Sequence, residues 1–201
     1  MIGVIDYGMG NLGSVLKAFE TLGLDAGLIR TPEEIDRAER LVLPGVGAFG
    51  RAMENLRERK LVKPLRRAVA ARRPLLGICL GLQLLFESSE EHGLHEGLGV
   101  FPGKVRRLPN TVKIPHIGWN QLQIETETAL LDGVPDRSYF YFVQSFYVEA
   151  GDPSLVLGTT DYGLTFASMA GDGVVFGVQF HPEKSQKHGL KILKNFGGLP
   201  C

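Results

Sequence analysis

Apolar residues in the first half of the chain alternate between two patterns. Short, nearly unbroken runs at Ile2–Asp6, Ala26–Ile29, Leu41–Leu43 and Leu75–Ile78 have the length and composition of buried strands. Between them the apolar positions open to helical spacing. Val15, Leu16, Phe19 and Leu22 mark a helix over Ser14–Leu22, with Gly23 placed to cap its end. Thr31-Pro32-Glu33-Glu34 carries the cap, first-turn proline and early acids of another helix start. Ala52–Arg59 and Pro64–Arg73 set basic residues around an apolar stripe, and Leu82–Glu87 is a further amphipathic run. Such alternation predicts a mostly parallel sheet covered by helices on both faces.

The second half changes character. Val100–Leu108, Gln121–Ile124, Tyr139–Glu149, Leu155–Thr160, Thr165–Ala170 and Val174–Phe180 are strand-like and separated by turn residues. Gly171-Asp172-Gly173 has the composition of a hairpin turn. Helical spacing returns at His188–Phe196. The expected fold is α/β, with an antiparallel, strand-rich extension after the parallel core. No internal repeat or linker interrupts it, so residues 1–201 are expected to form one domain.

The most informative residues lie where the fourth strand becomes a helix: Gly77-Ile78-Cys79-Leu80-Gly81. Gly-x-Cys-x-Gly at a strand-to-helix turn has the form of a nucleophile elbow, with glycines where side chains would clash. A helix starting at that point favours negative charge on the sulfur. By itself the motif is weak evidence, because a free cysteine is ordinarily a small apolar filler.

A second strand end supplies what the cysteine lacks. The apolar run Val174–Phe180 ends in His181-Pro182-Glu183. Strand ends line the crevice in parallel α/β folds. Pro182 biases His181 toward extended backbone, where residues two apart project to the same side. Glu183 is thus placed to hold one imidazole nitrogen while the other takes the thiol proton. Attack on a carbonyl also needs an oxyanion hole. The backbone sources are the amide after the nucleophile, at Leu80, and the glycine-flanked Val46 in Pro44-Gly45-Val46-Gly47.

Composition narrows the classes further. The 22 basic and 22 acidic residues cancel, so no electrostatic footprint for nucleic acid exists. The two cysteines, Cys79 and the terminal Cys201, exclude a disulfide framework, and Cys79 reads as a reduced cytoplasmic thiol. No apolar stretch reaches membrane-spanning length, and Met1–Asp6 reads as a strand, not a signal peptide. His92 and His95 fall in a polar loop and His188 on a helix surface; no pair has metal-ligand spacing, so neither metal nor cofactor is expected. Gly8-Met-Gly10-Asn-Leu-Gly13 matches a dinucleotide-binding fingerprint, but Arg30 stands where the ribose-binding acid belongs.

The elbow and the His-Pro-Glu segment together resemble the class I (triad) glutamine amidotransferases, which have a flavodoxin-like core. The resemblance implies that Cys79 is the nucleophile, His181 the general base and acid, and Glu183 the orienting group. It implies further that Gly47, Gln83, Glu91 and Ser145 hold L-glutamine. Asp6–Ser14, Leu43–Phe49, Pro115–Asn120 and His181–Ser185 are similar, more narrowly, to the glutaminase subunits of imidazole glycerol phosphate synthases.

That likeness implies a heterodimer with a (β/α)8-barrel cyclase, which uses the released ammonia in histidine biosynthesis. It moves the glycine-rich loop, through Asn11, to the partner interface and ammonia route together with Trp119 and Lys184. A place in the core remains an equal reading of Trp119. Phe142-Val-Gln144-Ser145-Phe146 departs from the Val-His-Ser/Thr-Tyr more usual in relatives, which leaves backbone contacts intact and puts side-chain contacts in question. The alternatives are a glutaminase serving pyridoxal phosphate, anthranilate or purine synthesis, and a non-catalytic subunit of the same fold. Pro115-His-Ile-Gly-Trp-Asn120 argues against the former, and the filled triad against the latter.

Overall fold

In the computed structural model, which describes residues 1–200, the strands predicted in the first half are in place. Cys201, expected to be incidental, lies outside the described residues. The first half runs β1 Ile2–Ile5, α1 Leu12–Thr21, β2 Ala26–Ile29, α2 Pro32–Arg37, β3 Arg40–Gly45, α3 Phe49–Glu58, α4 Val62–Ala70, β4 Leu75–Cys79 and α5 Leu80–Leu84. The second half contributes β5 Phe86–Ser89, β6 His95–Glu96, β7 Phe101–Arg107, β8 His116–Ile124, β9 Ser138–Gln144, β10 Phe146–Ala150, β11 Val156–Asp161, β12 Thr165–Asp172, β13 Val175–Val178 and α6 Gln186–Gly197.

Five strands in the order β2-β1-β3-β4-β13 are mutually parallel and form the core. β1, β4 and β13 are buried along their whole length, which is why they read as unbroken apolar runs. Alternate residues go to opposite faces. Ile5, Leu41 and Leu43 pack with Ile35, Met53, Leu56 and Leu65 from α2, α3 and α4. Val4, Val42 and Ile78 pack with Val15 and Phe19 of α1 and Ile192 and Phe196 of α6. α2 starts with a complete capping box in which Thr31 accepts from Glu34 N–H and the Glu34 carboxylate accepts from Thr31 N–H.

Beyond β13 the sheet turns antiparallel through β12, β10 and β7. β12 also pairs with β11, which leads to the β8–β9 hairpin. Four local expectations are corrected by the structure. The run Leu82–Glu87 is not one helix: α5 stops at Leu84, and Phe86–Ser89 is a strand parallel to β7 that buries Phe86 and exposes Glu87. Tyr139–Glu149 is two strands, because β9 pairs with β8 while β10 pairs with β7 and β12, and the chain breaks direction at Ser145. Finally, β12 continues through Asp172, which pairs with Val175, so the hairpin turn is Gly173-Val174. β8 also begins at His116, ahead of the expected Gln121, and carries Trp119 within it.

Candidate active site

The elbow is held by close packing of backbone, and its strain falls on the cysteine itself. Cys79 has φ +54° and ψ −108°, a conformation that L residues rarely adopt and that costs on the order of 1–3 kcal/mol. Gly77 and Gly81 let two segments approach closely. A Cβ on Gly81 would stand 1.8 Å from the Leu43 carbonyl oxygen, and one on Gly77 would be 2.6 Å from that of Gly81. α5 therefore starts directly over β3, and Cys79, 7% exposed, is presented at the carboxyl ends of the parallel strands.

His181 and Glu183 follow β13, which is hydrogen-bonded to β4. His181 Nδ1 lies 2.8 Å from Glu183 Oε1, and both side chains are almost completely buried. The segment is tied to β9: His181 N–H donates to the Tyr141 carbonyl at 2.9 Å. The buried Ser185 hydroxyl donates to the His181 carbonyl at 2.6 Å and accepts from Tyr141 N–H at 2.9 Å. Burial pulls the His181 pKa down, but hydrogen bonds and charge from Cys79 and Glu183 outweigh it and raise the pKa to about 10. The imidazolium form is therefore the favoured one at neutral pH.

A cleft of about 410 Å³ opens over these groups, within the range of small-molecule sites. Cys79 and His181 line it, and Gln83, Glu91 and Ser145 reach it from different elements. Val46 and Gly47 of the loop after β3 and Leu80 at the start of α5 also border it, and so does Lys184. Val46 is exposed and Gly47 has φ +98°, a conformation suited to glycine. Glu183 is absent from the lining because it stands behind the imidazole. Asn11 and Trp119 lie outside the cleft, both exposed.

Trp119 is on the open face of the β8–β9 hairpin, 45% exposed, beside Ile117 and Tyr139 at 59% and 54%. Its ring meets the edge of Tyr141, 5.9 Å between centroids. That placement decides against a core role. Glu91 is engaged: its carboxylate accepts from Phe49 N–H at 2.6 Å, at the first turn of α3. His95, read from the sequence as part of a polar loop, is half-buried against Gly50, where its ring is 2.7 Å from an added Cβ.

One site residue escaped the sequence reading. Gln179, fully buried, donates from Nε2 to Cys79 Sγ at 3.7 Å and accepts at Oε1 from Gln83 Nε2 at 3.0 Å. Its signal was a polar residue inside the apolar run Val174–Phe180. The departing segment Phe142–Phe146 reaches the site through backbone: the Val143 carbonyl lies 3.8 Å from Cys79 Sγ, and the Phe146 carbonyl accepts from Gln83 at 3.2 Å. The buried Gln144 amide has no partner at either end. Opposite it in register is His116, which burial pushes down to about 4 and so keeps neutral.

The glycine-rich loop is not arranged for a dinucleotide. Arg30 pairs with Asp6 at 2.7 Å, and Asp6 accepts from Gly8 N–H at 3.1 Å, so the cation is already engaged within the loop. Among the described residues, no three His, Cys, Asp or Glu side chains stand together in a metal-binding arrangement.

Comparison with known proteins decides the family. Residues 3–197 match the family model described as glutamine amidotransferase class-I. The chain belongs to that family. Within it, the chain is 51% identical over 197 residues to the imidazole glycerol phosphate synthase subunit HisH of Desulfitobacterium hafniense, covering 98% of this chain and 93% of the relative. It is 54% identical over 194 residues to HisH of Aquifex aeolicus, covering 96% and 94%. A crystal structure of a glutamine amidotransferase superposes with a TM-score of 0.77 at 20% identity, covering 98% of this chain and 99% of that one. The structure of PurLQS from Thermotoga maritima gives 0.77 at 19%, covering 97% and 96%. These two likenesses establish the amidotransferase fold, while the HisH identities place the chain among the HisH subunits.

Proposed function

We infer that this class-I amidotransferase is the glutaminase subunit of an imidazole glycerol phosphate synthase, with Cys79, His181 and Glu183 as its catalytic triad. The observation that carries the reading is Cys79 at positive φ beside a His181–Glu183 pair at 2.8 Å, in a chain about half identical to HisH subunits. The Cys79 sulfur attacks the side-chain carbonyl carbon of L-glutamine, forming a C–S bond and moving the π electrons onto oxygen. The N–H groups of Val46 and Leu80 receive that oxyanion. His181 passes its proton to the amide nitrogen, the C–N bond breaks, and ammonia leaves with a γ-glutamyl thioester in place. His181 then takes a proton from water, which attacks the thioester and releases glutamate and the Cys79 sulfur.

Glu183 keeps the His181 ring oriented through both steps. Gln83, Gly47, Glu91 and Ser145 border the space for the amino-acid end of glutamine; the Glu91 carboxylate already held by Phe49 N–H is positioned for an ammonium group. The ammonia passes to a (β/α)8-barrel cyclase in a cytoplasmic heterodimer, docked on the face that carries Trp119, with Asn11 and Lys184 near the route. The exposed aromatic face of the β8–β9 hairpin supports this assignment, since its Val143 borders the cleft.

The testing experiment is labelling by a glutamine-analogue electrophile in the presence of the cyclase, with glutamate release measured in parallel. The inference requires one label per chain, on Cys79, and glutamate release that rises when the cyclase is added. No label with or without the cyclase rules out the enzyme and favours a binding subunit.

A further inference from the structure

Tyr7 is fully buried, and its hydroxyl has no hydrogen-bond partner. Leaving such a group unpaired costs about 1–3 kcal/mol, so phenylalanine would serve better if packing were the only requirement. The hydroxyl stands 2.4 Å from where a Cβ on Gly45 would lie, and Leu80 Cβ is 3.0 Å from the same point. The phenol, Gly45 of the Pro44–Gly47 loop and the residue after the nucleophile thus meet at one spot. Burial, then the charge of Cys79, pushes the phenol pKa upward, so the hydroxyl keeps its proton and remains a donor.

The geometry of a trans peptide supplies the missing acceptor. In one peptide plane, N–H and C=O point in opposite directions. When Val46 N–H turns into the cleft toward a developing oxyanion, the Gly45 carbonyl must turn away from the cleft. The rotation changes ψ of Gly45 and φ of Val46, and Gly45, having no Cβ, leaves the backbone free to make it. We propose that the Tyr7 hydroxyl donates to the Gly45 carbonyl in that orientation, making Tyr7 a positioning residue that selects the catalytic setting of the oxyanion loop. Gly45 must be glycine because a side chain there would occupy the place of the hydroxyl. The proposal rests on the glutaminase reading above and adds a residue to it.

The test is Tyr7→Phe in the complex with the cyclase. Loss of a bond that favours the oxyanion-binding orientation lowers kcat for glutamine hydrolysis about 10-fold and leaves KM for glutamine within about 2-fold. Alkylation of Cys79 by iodoacetamide, which develops no oxyanion, keeps its wild-type rate. The isolated variant melts at the wild-type temperature or above, because the hydroxyl it loses has no partner in the resting conformation. A wild-type kcat in the variant overturns the proposal. So does a kcat loss accompanied by a lower melting temperature or slower alkylation, which would mark a structural role. Failure of the wild-type complex to hydrolyse glutamine would instead overturn the functional reading itself.

Discussion

Gly81 and Leu43 are in backbone contact: a Cβ on Gly81 would come within 1.8 Å of the Leu43 carbonyl oxygen. Neither the start of α5 nor the end of β3 can yield, because both are buried and β3 is locked in register with β4. Gly81→Ala is therefore expected to destabilise the chain by about 3 kcal/mol or more, as strained core substitutions do. Gly13 is the control, since it lies in α1 with nothing within 4 Å of an added Cβ. Gly13→Ala should leave stability unchanged or raise it by up to about 1 kcal/mol. Urea melts of the two isolated variants check the contrast, and similar midpoints for both would show that the elbow tolerates side chains.

Cys79 and Glu183 together set the charge state of His181. They more than offset the effect of burial and hold the imidazole pKa at about 10, against 6.5 for a free histidine. A raised histidine pKa contributes stability in full below about 6.5, and that contribution is lost as pH rises through about 10. Glu183→Gln lowers the folded-state value. The stability gap between wild type and variant should thus be widest near pH 6 and shrink toward pH 10. Glutaminase turnover should fall on the order of 10³-fold through loss of ring orientation and imidazolium stabilisation. Melting curves across that range and kcat measured in the complex check both; a gap that widens with pH would contradict the assignment.

Trp119 is 45% exposed on a hairpin face that carries two further exposed apolar residues. On the docking face proposed above, a central aromatic of this kind would act as the anchor, and truncating such an anchor typically costs about 2 kcal/mol or more, roughly 30-fold in affinity. Trp119→Ala should weaken cyclase binding by that factor and leave the melting temperature of the isolated chain unchanged. Titration calorimetry and a thermal melt separate the two effects. Unaltered affinity would move the docking face elsewhere.

The parallel core was legible because its strands are buried on both faces and its helices carry their own caps. Leu75–Ile78 reads as a strand from composition alone, and Thr31-Pro32-Glu33-Glu34 announces a helix by local chemistry. The second half was legible only as strands. Ser145 separates β9 from β10 because their hydrogen-bond partners are different strands, and no local residue pattern records that choice. Phe86 was assigned to a helix because it falls in the amphipathic run Leu82–Glu87, yet it lies on a strand that pairs with β7. At the site, Cys79 stood out because it ends β4, and His181 and Glu183 because they follow the apolar run that contains β13. The Gln83–Gln179–Cys79 chain of contacts did not, because it depends on which strands lie side by side.

The central claim is that Cys79 performs one half of a reaction whose product is used on another chain. Cys79→Ala, assembled with the cyclase, tests it most directly through two rates measured on one sample. The account predicts loss of glutamine-dependent product formation, with ammonium-dependent product formation at the wild-type level. Loss of both rates in a correctly folded complex, or survival of the glutamine-dependent rate, would contradict it.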